Sequence, residues 1–455
     1  MNKVLGFIKG NLIIVISVVL ILALLPVGYV FSGKWNDGVR TKVKDAYDKE
    51  KRSLTSSGKV TYSLPAVLEG EQDVSESRAP NAAVTEFFKQ AKAAREDQVK
   101  DVVARGTQFN QGDHVELVPG LLPDAGDSRN RQRLGRAMSE AIVGTNDQPS
   151  VYQRKLRRLN AGSPPSPEVM QQTLEQTKTQ FEQEYRSSDA QGNITSEQQE
   201  EIKKRLSARR LGEYINRAKS LTFYCDPSAF VNGSPTGDTK TVGADKYSVV
   251  PAVNWPPSQV TETVAFTWLW DYWVISDVLD AAAWANTNAA SGAMSIPEAP
   301  VKRIDLIRVS GLEVAASTAD ADPDSFGGRP PRGGKPDDAQ QSQEAASFTG
   351  REGGTATSPF DLRQIDVVAV VASKDLPKFL DAFGKVNFMT VTDVDLQEVD
   401  VWEELRQGYY YGNDHVVRVS LKIESVWLRS WVSPLMPAPV RETLGVPAVQ
   451  GDSEG

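Results

Sequence analysis

The chain has 455 residues, a formal net charge of −8 and a single cysteine. The acidic balance argues against nucleic acid as a partner, because a phosphate-binding surface needs a basic stripe and none is obvious in the sequence. One cysteine permits no intramolecular disulfide, so stability has to come from packed cores, and the length suffices for two or three domains.

The first predicted element is a membrane-spanning helix over residues 11–31. Residues 12–31 read LIIVISVVLILALLPVGYVF and carry no charge. A helix of about 20 apolar residues crosses the hydrocarbon core of a bilayer. A cleaved signal peptide is the alternative, but it would have a shorter apolar core and a small-residue cleavage site. Long domains translocate largely regardless of charge, so we expect residues 1–10 in the cytoplasm and the rest outside it.

Residues 32–79 are predicted to form a helical stalk and an extended connector. Trp35, Val39, Val43 and Ala46 recur at three- and four-residue spacing, which makes a short apolar seam. One interpretation of the seam is a juxtamembrane coiled coil with a partner or a second copy. A solvated stalk is the alternative, because the seam lapses at Glu50.

A mostly helical insert domain is predicted over residues 80–257. Its first helix, over residues 80–105, has one apolar face that we interpret as core; that face contains Val84, Phe87, Phe88, Ala91, Val99, Val102 and Val103. Helical patterns follow at residues 129–143, 170–185 and 202–218, and Ser196 with Gln199 has the spacing of a capping box.

Metal and catalytic signals in the insert are weak. The loop 187–198 resembles an EF-hand in outline, but only Asp189 supplies a carboxylate at the ligand positions, so calcium is not expected there. His114 and His415 lie in no catalytic motif and are expected at the surface or at a strand edge. Cys225 is expected to be a small buried hydrophobe.

The pattern from residue 258 to residue 430 predicts a ferredoxin-like αββαββ domain within an α+β fold. Its predicted elements are a helix over 259–286, strands over 301–311 and 365–372, a helix over 374–386, and strands over 388–399 and 417–427. Residues 315–359 are predicted to be a disordered insertion, because they contain no Ile, Leu, Val or Met. Residues 431–455 are expected to be a loose tail.

The long helix over 259–286 carries two aromatic stripes. Trp268 and Tyr272 belong to one stripe, and Trp270 and Trp273 to the other. One sheet cannot bury both, so one stripe either meets a neighbouring domain or subunit, which makes these residues interface candidates, or is buried within the chain against the helices of residues 80–218. The last strand adds further interface candidates, namely Val417, Val419, Leu421, Ile423 and Trp427.

A short cytoplasmic end, one anchor, a helical stalk and an αββαββ domain together resemble PilO and GspM, the bitopic inner-membrane proteins of type IV pilus and type II secretion assembly platforms. The sequence pattern LWDYWVISDVLDAAAWAN followed by VKRIDLIRVSG adds to this resemblance. The helical insert, in contrast, departs from the family's usual short pattern. The resemblance implies a periplasmic body, homodimers or heterodimers with PilN- or GspL-like partners, a PilM-like platform protein nearby, no cofactor and no enzymatic activity.

The sequence therefore leaves three hypotheses about function. The leading hypothesis is a non-catalytic, membrane-anchored scaffold in a pilus or secretion machine. The second is an anchored periplasmic binding or envelope-structural protein in which the helical insert grips a ligand. The third is an enzyme, for which the sequence offers many carboxylates but no spacing that singles out a general acid–base pair.

Overall fold

The computed structural model describes residues 12–64, 66, 72–188, 194–231, 247–290, 292–312, 349–351, 353 and 358–447. The chain is α+β, with a long apolar helix near its N-terminus and an antiparallel sheet near its C-terminus. It divides into two compact units, Met1–Arg105 and Gly106–Gly455.

The first unit contains one long helix and a hairpin. Helix α1 runs without a break over Leu12–Ser57, so the predicted anchor and stalk form one continuous helix. Strands β1, Val60–Leu64, and β2, Val74–Arg78, pair antiparallel, so part of the predicted connector is a hairpin. Helix α2, Ala82–Gln111, follows, and the first unit ends inside it.

The hairpin packs on the start of α2 through Tyr62. The ring of Tyr62 lies 5.1 Å from the ring of Phe88, and its hydroxyl is 2.8 Å from the Thr85 hydroxyl. Beyond this contact the apolar face of α2 is open: Phe87 is 63% exposed, and Val102 and Val103 are exposed as well. The prediction that this face is core is therefore wrong for those residues.

In the described part of the second unit, five further helices of at least eight residues precede the four-stranded sheet. In chain order they are α3 (Ser128–Val143), α4 (Val151–Arg158), α5 (Pro167–Ser188), α6 (Ser196–Lys219) and α7 (Glu262–Ala285). Side chains cap several N-termini. The capping box before α6 consists of Thr195 and Gln198, one residue earlier than the predicted pair.

The sheet has four strands in the order β3-β4-β6-β5, and every neighbouring pair is antiparallel. The strands are β3 (Val301–Val309), β4 (Phe360–Ala372), β5 (Met389–Glu398) and β6 (Val416–Leu428). Helix α8, Leu376–Val386, connects β4 to β5, and the short helix α9, Val401–Arg406, connects β5 to β6.

One face of the sheet joins the main core. Helices α7 and α8 contact each other, and α7 contacts β3 while α8 contacts β5. Alternate strand residues such as Val367 and Val419 are buried with them. Helices α3 and α4 also contact α7, and Gly135 of α3 leaves no room for a Cβ beside the Pro257 carbonyl. A smaller core on Val370 and Val416 includes Tyr224 and Tyr411.

The predicted loose tail is packed as far as Val446. Helices α10, Arg429–Val432, and α11, Ala438–Thr443, bury Val432 and Val440. Arg441 donates hydrogen bonds to the carbonyls of Met436 and Ser433, which ties the segment down.

Two other predictions lie largely outside the described residues. Of the predicted disordered insertion 315–359, only residues 349–351, 353, 358 and 359 are described, and of the loop 187–198 residues 189–193 are not.

Candidate functional site

The predicted interface tryptophans lie inside the chain's own core. Trp268, Trp270 and Trp273 are all buried. Two of their indoles also donate hydrogen bonds to backbone carbonyls, from Trp268 to Val249 and from Trp273 to Val115, at 3.1 Å each. Tyr272 is half-buried against Tyr152. Burial within the chain, the alternative to an intermolecular stripe, therefore accounts for this helix.

The last strand is equally enclosed. β6 lies between β4 and β5, so neither of its backbone edges is free. Val419, Leu421 and Ile423 are buried in the main core together with Trp427, and Val417 is half-buried beside them. These strand residues, predicted as interface candidates, are therefore part of the chain's own core.

Three aspartates on the apolar helix α7 organise the second unit. Asp271 pairs with Arg363 of β4 at 2.6 Å, and both side chains are fully buried. Asp277 contacts His114, which follows α2, and Asp280 pairs with Lys155 of α4 at 2.6 Å. These pairs were not predicted from the sequence, although acidic residues on a buried helix need partners.

His114 lies in an aromatic box rather than at the surface. Its Nε2 is 2.9 Å from Asp277, and its ring centroid lies within 5.7 Å of those of Trp427 and Trp431 and 5.6 Å from that of Trp273. The second oxygen of Asp277 accepts a hydrogen bond from Asn387 at 2.7 Å.

The polar chain behind the box continues to α2. The Asn387 side-chain carbonyl accepts a hydrogen bond from the Asn110 amide at 2.8 Å. Asn110 in turn accepts hydrogen bonds from the Leu428 backbone and the Trp431 indole, both at 2.8 Å. The network joins the end of α2, the start of β5 and the end of β6, so it is a structural junction.

Burial controls the charge of the innermost pair. It raises the pKa of Asp271 to about 6, although Arg363 acts in the opposite direction. Burial likewise lowers the pKa of Arg363, while Asp271 opposes that change. Burial also raises the pKa of Asp280, against the attraction of Lys155. Asp271 with Arg363 and Asp280 with Lys155 therefore form ion pairs within the fold.

A polar cleft of about 90 Å³ lies beside the outer edge of β3. Arg303 forms ion pairs with Asp305 and Glu404 and lies 4.1 Å from the ring centroid of Tyr409. Burial alone would raise the pKa of Asp226 on the facing wall, but hydrogen bonds from Ser228 and Ser163 hold it below its usual range.

The chemistry available in the cleft is limited. The Cys225 thiol in its wall is buried, and burial raises its pKa well above the usual range, which disfavours the reactive thiolate. In the described part of the chain, no group of three or more His, Cys, Asp and Glu side chains is placed to hold a metal ion. The cleft can accommodate a small polar molecule.

The stalk seam is the one set of predicted interface residues that the structure leaves open. Trp35 is 74% exposed, and Val39, Val43 and Ala46 on the same helix are exposed too. Tyr47 extends the exposed seam. The helix that carries these residues is long and apolar enough at its start to cross a membrane.

Comparisons with protein-family models, with curated proteins and with solved structures find no match to this chain. The resemblance to PilO and GspM therefore stays a prediction based on architecture.

Proposed function

We propose that this chain is a non-catalytic, single-pass membrane scaffold of a type IV pilus or type II secretion-like assembly platform. The observation that carries the proposal is α1, in which an apolar span and an exposed apolar seam belong to one unbroken helix of 46 residues. Such a helix fixes the orientation of the seam relative to the membrane. The tether and the docking surface are thus one element.

The arrangement of the sheet domain supports a PilO- or GspM-like scaffold. The chain order is helix, two strands, helix, two strands, and the spatial order is β3-β4-β6-β5. This is the arrangement of a circularly permuted ferredoxin-like domain, in which each of two units consists of a helix followed by two strands. The fold itself supplies no function, so the proposal rests on the exposed surfaces of the chain.

In this proposal two copies associate through the stalk seam. Both helices start in the same membrane, so they run parallel and at equal depth, and Val39 and Val43 of one copy face their counterparts. Tethering raises the effective concentration of the second copy. A PilN- or GspL-like protein with a similar stalk is the heterodimeric alternative, and a PilM-like protein would complete the platform. The proposed location is the inner membrane, with the body in the periplasm.

The test of the proposed function is the oligomeric mass of the full-length chain in detergent micelles. The double variant Val39→Ser, Val43→Ser removes the centre of the seam, and we expect it to shift a dimeric chain to monomers. The matched control is Thr41→Ser, which alters an exposed β-branched residue away from the seam. A dimer that survives the double variant would contradict association through the seam.

The polar cleft favours a second candidate, an anchored binding protein. Its lining includes the exposed carboxylate of Asp226, for which no ion pair is found in the described part of the chain, and this group is suited to a small amine. This candidate predicts that a polyamine such as spermidine raises the melting temperature of the full-length chain, and that Asp226→Asn abolishes the increase. No increase with the unaltered chain would remove this candidate.

A further inference from the structure

The two outer edges of the sheet differ in how they are covered. The outer edge of β3 is closed by backbone hydrogen bonds: Tyr224 donates to Lys302 and accepts from Ile304, both at 2.9 Å, and Ser248 donates to Val309 at 2.8 Å. In the described part of the chain, β5 pairs only with β6. Its outer backbone edge is therefore available to another strand.

The exposed half of β5 alternates between apolar and acidic side chains. Val394 lies opposite Leu421 and Leu396 opposite Val419, so both point to the face of the sheet that forms the main core. Leu396 is nevertheless 51% exposed. Asp393 and Asp395 point to the other face and are exposed.

The charges on β5 select among possible occupants. The strand reads MTVTDVDLQE and contains no Lys or Arg. Pairing of two copies of β5 would crowd Asp393 and Asp395 of both copies on one face, where like charges destabilise a sheet. Lys422 of β6 lies 3.8 Å from Asp393, but both side chains are exposed, so this pair offsets little of the negative charge.

We propose that the β5 edge binds an extended segment of a partner protein in which apolar residues alternate with Lys or Arg. The segment adds a fifth strand by backbone hydrogen bonding. Its apolar side chains continue the layer of Val394 and Leu396, and its basic side chains meet Asp393 and Asp395. This inference rests on the proposed scaffold function and gives the chemistry of one partner.

The test uses the full-length chain in detergent micelles and a fluorescein-labelled octapeptide of alternating Val and Lys. A second peptide of the same sequence has every backbone amide N-methylated, so it keeps the charges and loses the strand hydrogen bonds. We expect the N-methylated peptide to bind at least about tenfold more weakly. Equal binding would overturn the proposal, because charge attraction alone would then explain it.

Charge reversal supplies the second arm. Asp393→Lys with Asp395→Lys should weaken binding of the Lys peptide by about tenfold or more and favour a Glu-Val peptide instead. Asp97→Lys with Asp101→Lys on α2 is the control, since it changes the net charge equally at another exposed site. An equal effect of both double variants contradicts a site on β5.

Two results separate this inference from the proposed function. If the unaltered chain does not bind the Lys peptide up to about 1 mM, the inference is wrong. Asp393 and Asp395 would then serve only to prevent other strands from pairing with this edge. The seam-dependent oligomeric mass, measured on the same sample, reports on the proposed function independently. A normal seam result with no peptide binding overturns the β5 proposal alone.

Discussion

Helices α7 and α2 both have apolar faces, but only one of them is covered. The aromatic stripes of α7 are buried, and its three aspartates are paired with side chains of β4, α4 and the segment after α2. On α2, Phe87, Val102 and Val103 are exposed. An apolar face thus indicates where burial is possible, whereas the rest of the fold decides whether anything covers it.

The largest expected difference between the covered and open regions is that between two tryptophans. Trp270→Ala should lower the free energy of unfolding by about 4 kcal/mol, because it leaves a cavity in a packed core. Trp35→Ala on the exposed seam should change it by less than about 0.5 kcal/mol. Urea denaturation of the full-length chain in micelles measures both. Similar losses for the two variants would erase the distinction.

Breaking the buried ion pair between α7 and β4 should lower the free energy of unfolding slightly less than Trp270→Ala does. Arg363→Met leaves Asp271 buried without its cation, so we expect a loss of about 3 kcal/mol at neutral pH. The double variant Asp271→Leu, Arg363→Met removes both charges and should recover most of that loss. Lys422→Met, which removes an exposed charge, is the control and should be nearly neutral. Failure of the double variant to recover would mean that the pair itself stabilises the core.

The same pair should make stability depend on pH. The folded-state pKa of Asp271 is raised to about 6, whereas an unfolded aspartate has a pKa of about 3.9. Between these values the folded state binds the proton more tightly, so this group's contribution to stability falls as pH rises from about 4 to about 6 and is constant above that. The expected change is about 3 kcal/mol.

The measurement for this prediction is the unfolding free energy of the unaltered chain minus that of Asp271→Asn across the same pH range. The subtraction removes the contribution of other titrating groups. A difference that rises with pH, or stays flat, would contradict a raised pKa at Asp271.

A small effect on stability is also expected from polar substitutions on the exposed face of α2. Val102→Ser with Val103→Ser should change the free energy of unfolding by less than about 0.5 kcal/mol per site. Val274→Ser makes the same change at a buried position of α7 and should cost about 2 kcal/mol. Urea denaturation compares the two directly. A large loss on α2 would show that its face is covered in the folded chain.

Much of the local structure follows from the sequence, because periodicity and caps act over a few residues. The helix at 259–286, the alternation at 417–427 and the helix after residue 373 are all found near their predicted bounds. Contacts between distant residues do not follow from such patterns. His114 and Asp277 are separated by 163 positions, and nothing in the sequence near His114 identifies its partner.

The errors share this physical cause. The two aromatic stripes of α7 leave two predictions open, an intermolecular contact and burial against the helices of residues 80–218, and in the structure α3 and α4 contact α7. The prolines and polar residues after residue 430 predict a loose tail, but Arg441 donates hydrogen bonds to backbone carbonyls and Val440 is buried in the core. The stalk seam is exposed along α1, and its association with a partner or a second copy stays a prediction.

Disulfide trapping in native membranes tests the central claim most directly. Val43→Cys places a thiol on the seam, and Thr41→Cys places one on the opposite side of the same helix. The single natural cysteine, Cys225, is buried and does not interfere. We expect Val43→Cys to form a covalent dimer under mild oxidation and Thr41→Cys to stay monomeric. Equal trapping at both positions, or at neither, would contradict a scaffold that associates with a second copy through this seam.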